Sequence, residues 1–256
     1  MCDTGSMPNF TEGLETLPFL DVSLVPKSAV TTSAGILHFY MYGEYTEFRV
    51  RTILTKEPET IQWIESMRPG EQLWDIGANI GIYTCLAGLR GVQVSAFEPS
   101  PTNFWLLNQN VHLNSLSAVR CLPIAVAGST GLVGFTVDLT PAAAGVNQVN
   151  SLSDGLRTQS YSLDDLMEIG GLVPPTHLKI DVDGIELEIL RGGMSLLSSE
   201  GLQSVMCEVD ESDSETTEQI HELLRKSGLS NVVTRHAPYF NENYYLPRAN
   251  HLFLKK

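Results

Sequence analysis

The sequence predicts an α/β fold with a mostly parallel sheet, and three observations predict it. Short apolar runs of strand length alternate with segments of helical length between about positions 72 and 209, the pattern left by parallel strands and right-handed crossover helices. Two successive runs end in acids, Asp75 after Leu73-Trp74 and Glu98 after the run 92–97. Between them lies Asp75-Ile76-Gly77-Ala78-Asn79-Ile80-Gly81, a glycine turn that opens into a helix-like segment. In an open sheet, ligands bind beyond the carboxyl ends of the strands, so these acids and glycines mark a pocket for a nucleotide-type ligand.

The 256 residues suit one large domain or one domain with an N-terminal extension. The expected division is 1–56, an arm and β-hairpin packed on the core, and 57–256, the ligand-binding domain. With 43% hydrophobic residues the chain can bury a substantial core. A net charge of −14 argues against nucleic acid as a partner, because phosphate contacts need clustered Lys and Arg. A small neutral or cationic molecule fits better. Cys2, Cys85, Cys121 and Cys207 lack paired spacing, which excludes a zinc ribbon and a disulfide framework. No basic leader precedes an apolar core, and no stretch nears the ~20 apolar residues of a spanning helix. A cytoplasmic protein without membrane attachment is expected.

Residues 1–28 carry Pro8, Pro18 and Pro26 and read as a partly ordered arm. A hairpin is expected over 35–54, from Ile36-Leu37-His38-Phe39-Tyr40, a turn at Gly43, and Phe48-Arg49-Val50-Arg51-Thr52-Ile53. Glu57-Pro58-Glu59-Thr60 resembles a helix start, with Pro58 in the first turn. Strands follow at 73–76, 93–97 and 119–126, with helices over 80–89 and 102–112. An extra strand is expected over 131–138. Residues 139–157, rich in Ala, Gly, Asn and Ser, read as a mobile stretch or an active-site lid. Beyond them come a helix at 163–169, a strand at 177–182, one helix over 185–197 and a strand at 202–209. The helix 215–226 is expected to be capped by Ser212 or Ser214 and ended by Gly228. Residues 232–234 and 251–254 form an antiparallel pair.

The acids discriminate between ligands. A dinucleotide site places G-x-G-x-x-G before its helix so that a pyrophosphate meets the helix N-terminus. Here the spacing is Gly77-x-Asn79-x-Gly81, with Asp75 two residues before the first glycine. An acid at that point repels pyrophosphate but accepts a hydrogen bond from an amino-acid ammonium. Glu98, at the end of the second strand, is expected to accept from two ribose hydroxyls. Both requirements fit S-adenosyl-L-methionine. Gly77 allows a sharp turn, and Gly81 is expected to let the helix lie close to the ligand.

The chain resembles the FkbM-type methyltransferases. The resemblance is carried by 75–84, Phe97-Glu98-Pro99-Ser100-Pro101, Leu107-x-x-Asn110-x-x-x-Asn114, the run 178–187 and Leu190-x-Gly192-Gly193, with Glu57-Pro58-Glu59-Thr60 as lead-in. Asp183 and Ile185 depart from the family's usual residues. The resemblance implies a Rossmann-like class I methyltransferase fold: a mostly parallel seven-stranded sheet with helices on both faces and an N-terminal β-hairpin extension. It implies that Asp75, Gly77, Ala78, Asn79, Gly81, Thr84, Glu98, Pro99 and Asp181 bind the cofactor, with Ile124 and Ala125 beside the adenine. The product would be S-adenosyl-L-homocysteine. The implied reaction is O-methylation of a hydroxyl on a small natural product or sugar. A nicotinamide-dependent oxidoreductase and a non-catalytic cofactor-binding subunit are the alternatives, and a homodimer is left open.

An alcohol acceptor must lose its proton, so a base is needed. Asp181 at the fourth strand end is the first candidate, Glu208 at the fifth the second, and His236 beside Pro238-Tyr239-Phe240 the third. Asp181 could instead cap a helix or pair with Lys179, which shares its side of the pleat. Asp183 and Glu186 read as helix-start residues. Asp181, Asp183, Glu208 and Asp210 lack the spacing of a dedicated metal site, so no metal is expected.

Overall fold

The computed structural model describes residues 22–136, 148–150, 156–169, 171–235 and 248–255. In chain order the N-terminal elements are β1 (Lys27–Thr32), β2 (Gly35–Tyr40), α1 (Glu44–Thr52) and α2 (Pro58–Ser66). Next come β3 (Gln72–Ile76), α3 (Ile82–Leu89), β4 (Gln93–Phe97), α4 (Pro101–Leu113), β5 (Val119–Leu122) and β6 (Ala125–Val126). Then β7 (Gly131–Thr136), β8 (Gln148–Asn150), β9 (Leu156–Tyr161), α5 (Leu163–Glu168), β10 (His177–Ile180), α6 (Glu186–Arg191) and α7 (Met194–Ser198) follow. The chain closes with β11 (Ser204–Asp210), α8 (Ser214–Lys226), β12 (Leu229–Arg235) and β13 (Arg248–Lys255).

The central sheet has seven strands in the order β12-β13-β11-β10-β3-β4-β5. Pairs from β11 through β5 are parallel, and β13 is antiparallel to both β11 and β12. The strand order reverses at β3: β4 and β5 lie to one side and β10 to the other. That reversal opens a crevice at the carboxyl ends of β3 and β10, where such sheets bind ligands.

Alternation along the strands assigns faces. Leu73, Val94, Ala96 and Met206 enter one apolar layer with α1, α2, α3, α4 and the hairpin. Trp74, Ile76, Phe97, Leu178, Ile180, Val205 and Cys207 enter the other, with α5 through α8. Side chains two residues apart share a face. Asp75, Glu98, Lys179, Asp181 and Glu208 therefore all project to the α3 face. The two acids on which the ligand argument rests stand on one side of one rim.

The hairpin is β1 with β2, paired in register from Lys27↔Tyr40 to Thr32↔Gly35. Residues 48–52 of the expected second strand are instead part of helix α1, and Ile53 is its C-cap. Its alternation of Phe48, Arg49, Val50 and Arg51 imitates a strand, but the buried positions Thr46, Val50 and Ile53 recur at helical spacing and Phe48 is exposed. Glu47 and Arg51 close an i,i+4 ion pair along its surface. The hairpin is fixed to the core by two amides, one on α4 and one at its C-cap. Asn114 receives the His38 N–H at 2.7 Å and donates to the His38 carbonyl at 2.7 Å. Asn110, fully buried, receives the Tyr40 N–H at 3.0 Å and donates to the Ile80 carbonyl at 2.9 Å.

Other boundaries shift for physical reasons. The helix expected over 185–197 is broken at Gly192-Gly193 into α6 and α7. A Cβ at Gly192 would meet the Gly128 carbonyl oxygen at 2.7 Å, and one at Gly193 would meet Leu163 at 2.6 Å, so two glycines let a loop and a helix pass. Asp213, not Ser212 or Ser214, caps α8 by accepting the Thr216 N–H. The expected third strand ends at Leu122, and Ala125-Val126 join a separate four-stranded sheet, β6-β9-β7-β8. Within the stretch read as a loop, β8 and the start of β9 are strand. The rest of 139–155 lies outside the described residues. Among the described residues no helix is long and apolar enough to cross a membrane.

Candidate functional site

The motif turn is shaped by three left-handed residues, Gly77 (φ 79°), Asn79 (φ 52°) and Gly81 (φ 86°). Gly77 and Ala78 donate their N–H groups to the Phe97 carbonyl, both at 3.0 Å, tying the turn to the end of β4. A Cβ on Gly77 would stand 2.0 Å from the Asp181 carbonyl oxygen. This glycine therefore lets the turn pass against the end of β10. Gly81 also has a packing role. A Cβ there would stand 2.5 Å from Leu107 of α4, so the glycine lets that helix pack close to the turn.

Asp75 is 1% exposed, and its Oδ2 accepts from the Thr84 hydroxyl at 2.5 Å. Its Oδ1 is buried with no hydrogen-bond partner. Lys179 Nζ lies 3.9 Å from that oxygen, too far to donate, and 2.8 Å from Asp181 Oδ2. Burial raises the Asp75 pKa, against the pull of Lys179 and Thr84. Thr84 is wholly enclosed, so its hydroxyl is committed to Asp75.

Glu98 lies one strand away and is also buried. Its Oε2 accepts the Asn79 N–H and its Oε1 the Ser100 N–H, each at 2.8 Å. These bonds hold the turn and the start of α4 to the carboxylate. An ionised carboxylate offers about four acceptor positions, so two remain for further donors. Burial pushes the Glu98 carboxyl up to about 7, against those backbone bonds. Ala78 is buried and Asn79 and Pro99 are half-buried beside it; Ala125 is buried in β6 and Ile124, half-buried, packs against the apolar layer of α5 through α8.

Past β3 the rim stays charged. Burial works to raise the Asp181 carboxyl, but Lys179 prevails and holds it below the usual range. Glu57, the residue before α2, is buried and takes an ion pair from Lys56 at 2.8 Å. Its charge, after burial, raises the pKa of the Tyr83 hydroxyl, and Lys179 Nζ lies 5.1 Å from the Tyr83 ring centre. Glu208 stands at the end of β11 on the same face, with Arg248 of β13 at 3.5 Å. Burial first, then the charges of Asp181 and Glu57, push its carboxyl up to about 8. Asp183, in a left-handed conformation with φ 62°, forms an ion pair with the same Arg248. Glu186 receives the Gly184 N–H at 3.1 Å, as expected of a helix-start residue.

The structure thus gathers Asp75, Gly77, Ala78, Asn79, Glu98, Asp181 and Glu208 on one rim. His236 lies outside the described residues. Sequence reasoning read Glu57 only as a helix start and missed Tyr83 and Arg248. The parity of the strands reveals Lys179 as Asp75's neighbour, whereas Glu57 and Arg248 come from segments joined to the rim only by tertiary packing. Among the described residues no three His, Cys, Asp or Glu side chains are grouped to hold a metal ion.

The geometry fits S-adenosylmethionine. A buried acceptor without a donor suits its ammonium, and a carboxylate one strand away with spare acceptor positions suits its ribose diol. Residues 75–230 match the profile of the methyltransferase FkbM domain. The chain is 28% identical over 190 residues to the hexuronic acid methyltransferase AglP of Haloferax volcanii, covering 73% of this chain and 75% of that one. It is 29% identical over 226 residues to the 31-O-demethyl-FK506 methyltransferase FkbM of Streptomyces tacrolimicus, covering 76% and 85%. A crystal structure of a methyltransferase FkbM from Methylobacillus flagellatus superposes with a TM-score of 0.55 at 15% identity, covering 84% of this chain and 56% of that one.

Proposed function

Because this chain belongs to the methyltransferase FkbM domain family, we propose that it moves a methyl group from S-adenosylmethionine to a hydroxyl of a small sugar or natural-product acceptor. The observation that carries the cofactor assignment is the unpartnered, buried Oδ1 of Asp75. It stands across a left-handed turn from Glu98, on the same face of the sheet. When bound, the cofactor supplies an already activated methyl group, so the chain's task is placement. Fixing reacting groups in line is worth roughly 7–11 kcal/mol of barrier. In this reading Asp75 receives the ammonium, Glu98 the ribose hydroxyls, and Gly77, Ala78, Asn79, Pro99, Ile124 and Ala125 line the cleft. The relatives named for a hexuronic acid and for 31-O-demethyl-FK506 support an oxygen acceptor, and the net charge of −14 supports a small molecule over nucleic acid.

Calorimetry of the full chain tests the assignment. S-adenosylhomocysteine is expected to bind and NAD not to. Binding of NAD in preference would return the oxidoreductase alternative.

The acceptor proton is assigned to Glu208. Asp181 is bound to Lys179 and held acidic, which makes it a weak base, whereas a carboxyl at about 8 is matched to neutral solution. The base works deprotonated, so transfer is expected to rise with pH and level off above about 8. Glu208→Gln is expected to be slow and to lose that limb. A variant that keeps both rate and limb would put the proton elsewhere.

A further inference from the structure

We infer that Lys179 is the positioning residue that keeps Asp75 an anion, and hence an acceptor for the cofactor's α-ammonium; this rests on the functional reading above. Asp75 is closed off from water, and a buried carboxylate with a single hydroxyl donor tends to take up a proton. The groups facing it can be named element by element. Thr84 and Cys85 come from α3, Lys179 and Asp181 from β10 and its end, Glu98 from the end of β4, and Cys121 from β5. Of these, Lys179 alone carries a positive charge; a second cation, Arg49 of α1, acts on Glu98 and Asp181.

The position of the lysine is unusual for an ion-pair partner. Its ammonium bonds Asp181 at 2.8 Å and stops 3.9 Å short of Asp75 Oδ1. At that separation its field reaches Asp75, while the lone pairs of Oδ1 stay available. A direct bond would have taken one of the two acceptor positions of Oδ1. Lys179 is 2% exposed, and its ammonium is kept charged by the acids around it, since burial alone would discharge it. The Tyr83 ring lies under it, its centre 5.1 Å from Nζ. Asp181 and Tyr83 thus prevent the lysine from swinging onto Asp75.

The test compares two ligands by calorimetry on the full chain: S-adenosylhomocysteine, and 5′-methylthioadenosine, which keeps the adenosine and lacks the amino-acid end. In Lys179→Met at pH 7, S-adenosylhomocysteine is expected to bind at least about tenfold more weakly. Methylthioadenosine should be unchanged within about twofold, which also reports a folded site. Raising the pH from about 6 to 8.5 also ionises Glu98, which acts on both ligands alike; the ratio of S-adenosylhomocysteine to methylthioadenosine affinity should nevertheless recover much of its loss, because alkali regenerates the Asp75 carboxylate that the lysine no longer maintains. Lys179→Arg should rescue at pH 7, and Asp75→Asn should lower the ratio of S-adenosylhomocysteine to methylthioadenosine affinity with no recovery of that ratio in alkali. Equal weakening of both ligands, or a loss in Lys179→Met that ignores pH, would overturn the inference and leave the cofactor reading standing. Wild-type protein that binds neither ligand would overturn both.

Discussion

Gly77→Ala is expected to destabilise the protein by at least about 3 kcal/mol and to abolish cofactor binding. Two costs add. A left-handed conformation charges a residue with a side chain about 1–2 kcal/mol, and Gly77 has φ 79°. The larger cost is steric, because the new Cβ would stand 2.0 Å from a backbone oxygen of Asp181. A flexible side chain could retreat, but a carbonyl at the end of a central strand cannot. To relieve the clash the turn must lift off β10, which drags Ala78 and Asn79 away from Phe97 and Glu98. Gly70→Ala is the control. Its φ is 87° with nothing within 4 Å, so it should cost only the conformational share. Urea unfolding of both variants checks the difference, and a Gly77→Ala protein as stable as Gly70→Ala would refute the packing argument.

Glu98→Ala is expected to weaken S-adenosylhomocysteine binding at least tenfold, and about a hundredfold where both ribose bonds are lost, since hydrogen bonds to charged groups are worth about 1.5–3 kcal/mol. The carboxylate performs two tasks. It offers acceptors to the diol, and it holds the Asn79 and Ser100 N–H groups at 2.8 Å. Alanine removes both, leaving two amides near the cleft without their acceptor. Glu98→Gln separates the tasks, because one amide oxygen can keep one of the two N–H bonds. Calorimetry of both variants should therefore give an intermediate affinity for glutamine. Unchanged affinity in the alanine variant would remove Glu98 from the cofactor site.

The sheet and its rim were legible because they depend on local patterns. Strand parity, an acid at each strand end and the glycine turn are all short-range features of the chain. Helix α1 was misread for a related reason: Phe48-Arg49-Val50-Arg51 satisfies two periodicities, and only burial of Thr46, Val50 and Ile53 decides between them. The break between α6 and α7 depends on Gly128 and Leu163, which lie far from Gly192 and Gly193 in sequence. The second half of the site was hidden in the same way. Glu57, Tyr83 and Arg248 acquire their roles from partners 26 or more positions away, and no window of sequence reports that. Lys179 lay between these cases, visible as a neighbour of Asp181 but not as a guardian of Asp75.

The amide of Asn110 has a mechanical consequence. With one hand on the Tyr40 N–H of the hairpin and the other on the Ile80 carbonyl of the glycine turn, it couples the ribbon at the start of the described chain to the wall of the cleft. Whatever stiffens one must be felt by the other. The N-terminal ribbon is therefore a brace for the pocket, and its fraying would be transmitted as slack in the grip on the ligand.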